Sequence, residues 1–382
     1  MFPSSTKLSS LAIVEIQLIM HKLDITDILN LSQCSKIMRC ASSQSYAWKY
    51  APSKRILLND SSKLAYTIKI FLSCVNRSPL CCSLQHIPIK LMYDNKQFRN
   101  CDVTPVIKSI TVLKDFNIRS IHLESSNIKN KQAISLAYAI KSMKWITKID
   151  LNNNGIRSKG VIALADAIKT SKSITQLDLR WNEIKDEGAE ALADTIKFNK
   201  SLKSLNLGIG SIMDKGILAL AESIKHSDSM TDINLMGNNF TSSGLEAISD
   251  ALKYSKSMKS INLAKNNIGE KGIFILADAI KYYNTLSNLN LSENEIDDEG
   301  IAYLVDAIKH NKSMTSLDLS YNKIGYKGAK ILADVIINHS ISIKNINLGK
   351  NNLEFEGRFA LTNAVTYDPN IQIFCDRPVL YS

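Results

Sequence analysis

IDLNNNGIRSKGVIALADAIK, residues 149–169, is the stretch that decides how this chain folds. Ile149 and Leu151 flank Asp150, the apolar-polar alternation of a short strand whose side chains point to opposite faces. Asn154 comes three residues after the second apolar position, and Gly160 six residues after that. Beyond it Leu164, Ala165 and Ile168 recur one turn apart, as on the inner face of a helix. A strand, a turn and a helix therefore fit within one short unit.

The unit repeats. IHLESSNI, LDLRWNEI, LNLGIGSI, INLMGNNF, INLAKNNI, LNLSENEI and LDLSYNKI begin at Ile121, Leu177, Leu205, Ile233, Ile261, Leu289 and Leu317, all on a 28-residue spacing. INLGKNNL begins at Ile346, after one inserted residue near Ile337. The turn asparagine returns as Asn182, Asn238, Asn266, Asn294, Asn322 and Asn351, where its amide can satisfy backbone groups of neighbouring turns. Ser126 and Gly210 stand in its place in two units. The glycine returns as Gly188, Gly216, Gly244, Gly272, Gly300, Gly328 and Gly357, suited to a tight bend and close packing where the helix starts. Strand plus helix per unit resembles the leucine-rich repeat, and the length resembles its ribonuclease-inhibitor class. The resemblance implies an α/β solenoid, a horseshoe with parallel strands on the concave side and helices outside. Nine repeats with a C-terminal cap are expected over 121–382, with IQIFCDRPVL offering a last short strand.

Ahead of the array, residues 56–120 read as a helical spacer and a capping repeat. Ser61 or Ser62 could start a helix carrying Leu64, Ile68, Phe71, Leu72 and Val75, and IPIKLMY alternates like a strand. Thr104-Pro105 opens a helix with Val106, Ile107, Ile110 and Leu113 turned inward. Residues 1–55 differ again: Ile16, Ile19, Met20 and Leu23 share a helical face. Leu11, Glu15, Ile16, Leu23-Asp24, Asp27-Ile28-Leu29, Leu31, Cys34-Ser35-Lys36 and Trp48 follow the order of the F-box motif, which this small all-α segment resembles. Ala12 replaces the motif's usual proline and Met38 a common tryptophan. The resemblance implies a substrate-recognition adaptor of a cullin–RING ubiquitin ligase. Leu11, Glu15, Ile16, Leu23, Asp27 and Leu29 would dock on the Skp-type adaptor. The alternative is an interaction module, an inhibitor or sensor without a ligase role. A GTPase activator of this repeat class, with Arg157 or Arg180 as its arginine, is the third reading.

Composition agrees with a soluble binding protein and argues against other classes. The net charge of +11 resides mostly in residues 1–120, where 16 Lys/Arg face 7 Asp/Glu; the remainder holds 31 against 29. The repeat lysines (Lys141, Lys169, Lys197, Lys225, Lys253, Lys281, Lys309) recur at the helix exit, where they complement the helix dipole and solvate the outer surface rather than form a nucleic-acid stripe. No apolar run approaches the ~20 residues of a membrane span. Seven cysteines without a C-x-x-C pair read as free thiols of a reducing compartment, cytosol or nucleus, a host cell's cytosol included. No phosphate loop, zinc-protease motif or nucleophile elbow occurs, so no catalysis, metal or cofactor is expected. Asp297-Asp298-Glu299 reads as a helix N-terminus partner.

The target is expected on the concave side. Most residues just past each strand are small or polar, whereas Arg180, Trp181, Ile209 and Met236, with Tyr321 further along, have the composition of a binding hot spot. Against this stands the possibility that Trp181 packs on a neighbouring loop. The protein is expected to be monomeric apart from its partners.

Overall fold

The computed structural model describes residues 54–57, 89–92, 104–112, 117–283 and 285–376. The F-box-like segment, the spacer helix expected after Ser61 and Leu113 lie outside the described residues. The chain divides into two compact units, Met1–Asn154 with Ser171–Ile174, and Gly155–Thr170 with Thr175–Ser382.

In the first unit, strands β1 (Lys54–Leu57), β2 (Ile89–Met92), β3 (Ile118–His122) and β4 (Lys148–Asp150) pair in sequence order and in parallel. Helix α1 (Thr104–Val112) precedes β3, and α2 (Asn130–Ile140) joins β3 to β4. Ile107 and Ile110 of α1 are buried, as the helical spacing requires. IPIKLMY supplies β2 as its alternation suggests, but β1 was not foreseen. It pairs Lys54 with Ile89, a step of 35 residues rather than 28, and carries neither the turn asparagine nor the glycine.

The second unit opens with α3 (Ser158–Lys169) and then alternates strands of three residues with helices. The order is β5 (Gln176–Asp178), α4 (Lys185–Phe198), β6 (Ser204–Asn206), α5 (Asp214–Lys225), β7 (Asp232–Asn234) and α6 (Ser242–Tyr254). It continues with β8 (Ser260–Asn262), α7 (Gly269–Tyr282), β9 (Asn288–Asn290), α8 (Asp298–His310), β10 (Ser316–Asp318), α9 (Tyr326–Asn338), β11 (Asn345–Asn347), α10 (Glu354–Tyr367) and β12 (Gln372–Phe374). Each strand pairs in parallel with the next: Leu177 opposes Leu205 and Leu205 opposes Ile233, each one 28-residue step on, and Ile346 opposes Ile373, 27 residues on. This is a leucine-rich-repeat solenoid. Leu177, Leu179, Leu205, Leu207, Ile233 and Leu235 are all at most 3% exposed, and each such side chain stabilises the fold by about 1.5–3 kcal/mol.

The turn asparagines hold successive repeats together. Asn322 accepts from the backbone N–H of Asn294 and of Ile296, both at 3.0 Å, and donates to the carbonyls of Leu291 and Leu319. Asn238, Asn266 and Asn294 bond in the same way, one repeat apart. Gly210 interrupts this series, yet its own N–H still reaches Asn238 Oδ1 at 3.1 Å. A Cβ at position 210 would lie 3.0 Å from Ile184 Cδ1, so an apolar side chain leans into the space an amide would take.

The glycines near the helix starts serve close packing and not a left-handed bend. A Cβ at Gly216 would come within 2.7 Å of Ile212 Cγ2 and 2.9 Å of Ala189 Cβ. Helix starts are also capped from the preceding repeat. Asp186 accepts from the N–H of Met213 and Gly216, and Asp298 from those of Gly325 and Gly328. Asp297 caps its own helix through Gly300, so the acidic run does complement helix N-termini. The exit lysines do more than solvate: Lys225, Lys253 and Lys281 reach Asp250, Asp278 and Asp306 on the following helix at 2.9, 2.7 and 2.8 Å. No described helix is long and apolar enough to cross a membrane.

Candidate functional site

At the last residue of each strand from β5 to β11 one polar side chain faces away from the core: Asp178, Asn206, Asn234, Asn262, Asn290, Asp318 and Asn347. Every one of them accepts, through Oδ1, the backbone N–H two residues on. The acceptors reach Arg180 at 3.0 Å, Gly208 at 3.2 Å, Met236, Ala264, Ser292 and Ser320 at 2.9 Å, and Gly349 at 3.1 Å. This closes the turn that ends the strand, as Asn and Asp side chains do in Asx turns. In the first unit Asp150 does the same for Asn152, beside His122 Nδ1 at 3.7 Å. Burial works against the Asp150 charge, but hydrogen bonds from His122 and Asn152 outweigh it and hold the carboxyl below its usual range.

Three residues past the end of each strand from β3 to β11 the backbone turns left-handed. Ser125, Asn153, Trp181, Ile209, Gly237, Lys265, Glu293, Tyr321 and Lys350 all have φ between 52° and 63°. Glycine and asparagine adopt this region readily, whereas a β-branched residue there is a genuine outlier. Ile209, at φ 54°, is that outlier. The recurrence of Asn153 and Gly237 at one repeat position was the available signal for this geometry.

In the second unit these residues form a column continuing the strand ladder: Trp181 N–H donates to Gly208 O, Ile209 N–H to Met236 O and Gly237 N–H to Ala264 O. Trp181 and Ile209 are therefore neighbours on adjacent repeats. Ile209 lies across the next turn, since a Cβ at Gly237 would meet its Cγ1 at 2.9 Å. Arg180 and Met236 occupy the column beside it, with Gly208 between them. Arg180 folds back so that its Nε lies 3.4 Å from Asp178 Oδ2. Trp181 is 55% exposed, and Ile209 and Met236 are half-buried. Four of the five expected residues thus share one surface. Tyr321, 57% exposed, stands in the Trp181 column but five repeats on, roughly 24 Å away at the spacing of neighbouring strands. The expected adaptor-binding residues Leu11, Glu15, Ile16, Leu23, Asp27 and Leu29 lie outside the described residues. Among the described residues, no three or more His, Cys, Asp or Glu are grouped to hold a metal ion.

The Leucine Rich repeat family matches the chain six times, at residues 142–165, 170–193, 226–249, 254–277, 284–305 and 310–333. The interval between the second and third matches contains Gly210. No curated protein matches the sequence. Among solved structures the chain is similar to the actin-binding site 2 domain of leiomodin-1, with 22% identity and a TM-score of 0.32 over 35% of this chain and 77% of that one. It is also similar to the tropomodulin C-terminal domain of Caenorhabditis elegans, with 16% identity and a TM-score of 0.33 over 40% of this chain and 92% of that one.

Proposed function

We propose that the chain is a non-catalytic protein-interaction scaffold, with a target protein docking on the strand-end columns of repeats three to five. The observation that carries this reading is the contiguity of Trp181, Ile209 and Met236, apolar side chains left in reach of solvent on a rigid ladder. Strained backbone at Ile209 fits a position kept for its side chain rather than its conformation. A buried Trp anchor is commonly worth ~2 kcal/mol or more, about a thirtyfold change in affinity. Full-length protein and its Trp181→Ala variant would each be used to capture partners, with capture quantified against thermal stability. Loss of capture at an unchanged melting temperature supports the scaffold reading. A lowered melting temperature with capture unchanged in the folded fraction means the ring packs on its own repeat, and the reading fails.

A second reading rests on the ordered match from Leu11 to Trp48. The N-terminal segment would dock on a Skp-type adaptor, and the repeats would hold the target for ubiquitin transfer in the cytosol or nucleus, contributing proximity rather than chemistry. Replacing Ile16 and Leu23 by Asp in the full chain should abolish adaptor binding, because each change places a charge in an apolar contact. If the unaltered chain does not bind such an adaptor at micromolar concentration, this second reading is wrong.

A further inference from the structure

We infer that the strand face at the C-terminal end of the array carries a site for a cationic side chain, an arginine or lysine of a protein partner, between the Asp318 carboxylate and the Phe374 ring. The first observation concerns charge. The turn-closing role at each strand end needs only one acceptor oxygen, and asparagine supplies it at Asn290 and Asn347, on either side of Asp318. A carboxylate at 318 is therefore surplus to the fold. Asp178, in the same column, comes with its own cation, the Arg180 guanidinium at 3.4 Å. Asp318 takes two hydrogen bonds on Oδ1, from the N–H and the hydroxyl of Ser320 at 2.9 and 2.7 Å. Among the described residues, no ion pair within 4 Å is made by Asp318.

The second observation concerns the ring. β12 pairs Phe374 with Asn347, so an aromatic residue takes the strand-end position where β5 to β11 have Asp or Asn. Phe374 is 63% exposed and lies over Gly349, where a Cβ would meet its Cε1 at 3.0 Å. Between β10 and β12 the surface sinks into a hollow of about 330 Å³, lined by Ser316, Asp318, Asn345, Asn347, Gln372 and Phe374. That is the small end of the range for ligand pockets, right for one side chain rather than a cofactor. Two strand spacings separate Asp318 from Phe374, roughly 10 Å, so a group seated between them touches both. A carboxylate, a ring face and amide oxygens all favour a positive charge, and a guanidinium can stack on the ring while bonding the carboxylate. The site lies five repeats from Trp181 and does not depend on the docking proposed there.

The test is an NMR titration of the isotope-labelled full chain with N-acetyl-arginine methylamide, and with the uncharged citrulline analogue of the same shape. The arginine probe should shift the Ser320 and Gly349 amides saturably at millimolar concentration, and the citrulline probe should not. Asp318→Asn, which keeps the turn as Asn290 does, should weaken binding at least ~tenfold, consistent with loss of a charge-assisted bond. Phe374→Leu should weaken it about two- to fivefold through loss of the cation–π contact. No saturable shift, equal shifts from both probes, or unchanged binding to Asp318→Asn would each overturn the proposal.

Discussion

Asn238→Ala tests the claim that the turn amides, and not propensity alone, keep the repeats in register. Asn238 is 3% exposed. Its Oδ1 accepts from Gly210 N–H at 3.1 Å and Ile212 N–H at 3.0 Å, and its Nδ2 donates to the carbonyls of Leu207 and Leu235 at 3.1 and 2.9 Å. Truncation leaves two buried N–H groups without their acceptor. At ~1–3 kcal/mol for each orphaned group the loss is about 2–6 kcal/mol, a large part of the ~5–15 kcal/mol that stabilises an ordinary domain. The carbonyls add less, because a carbonyl tolerates a missing partner better than an N–H does. The site is a stringent choice because Gly210 brings no amide of its own to that turn. Asn234→Ala is the control: it is half-buried and closes one turn through Met236 N–H, where water can take over, so its cost should stay within ~1 kcal/mol. Urea unfolding gives the two stabilities, and amide hydrogen exchange reads Gly210 and Ile212 directly. If the two variants differ by less than ~0.5 kcal/mol, or if those two amides stay as protected as before, the ladder is not what holds the array.

Three further outcomes follow from the same geometry. Gly216→Ala should destabilise by ~1–3 kcal/mol through crowding against Ile212, Asp186 and Ala189, whereas Gly269→Ala, with φ 60° and open space, should cost only its left-handed backbone, ~1 kcal/mol; urea midpoints separate them, and Gly269→Asn should recover part of the loss. Asp298→Ala should speed amide exchange at the start of α9 and leave α8, capped by Asp297, unchanged, at a cost of about 1 kcal/mol; equal exchange at both helices refutes capping across repeats. Because the folded Asp150 carboxyl is held below its usual range, its contribution is complete above the unfolded value near pH 4 and is lost as pH falls through the folded one. The stability gap between the protein and Asp150→Asn should therefore close in acid, and a gap unchanged from pH 7 to pH 3 contradicts the assignment.

The fold was legible because each repeat states the same geometry twice, once in its apolar spacing and once in its turn residues. Leu177, Leu179 and Leu192 could be placed inside from period alone, and all three are buried. β1 escaped because it shares neither the spacing nor the markers: KRIL between Pro52 and Asp60 carries no turn asparagine and no glycine six residues beyond. Contacts between repeats were the other blind spot. Asp298 reads from sequence as the partner of the helix it opens, yet it caps the next one, because the 28-residue step brings the start of α9 beside it. Periodicity tells which face a residue occupies; it does not tell which neighbour it meets.

The candidate site was legible for a different reason, and only in part. The fold's polar requirements fall on repeated positions: the turn amide, the strand-end acceptor and the helix cap. Residues at those positions are fixed by backbone groups, which is why the strand-end column from β5 to β11 holds only Asn and Asp. What is left to vary is the pair of positions after each strand, and one of these demands a left-handed backbone that Gly237 supplies without strain. Trp181, Ile209 and Tyr321 therefore occupy a position where the fold itself favours glycine or asparagine. A bulky side chain held there against local preference is a reason to look for a contact outside the chain. The sequence showed the bulky residues but not the backbone they strain, and it grouped Tyr321 with Trp181 because order along the chain does not measure distance across five strands. The same logic, applied to charge instead of shape, isolates Asp318: its neighbours Asn290 and Asn347 do the fold's work without the negative charge.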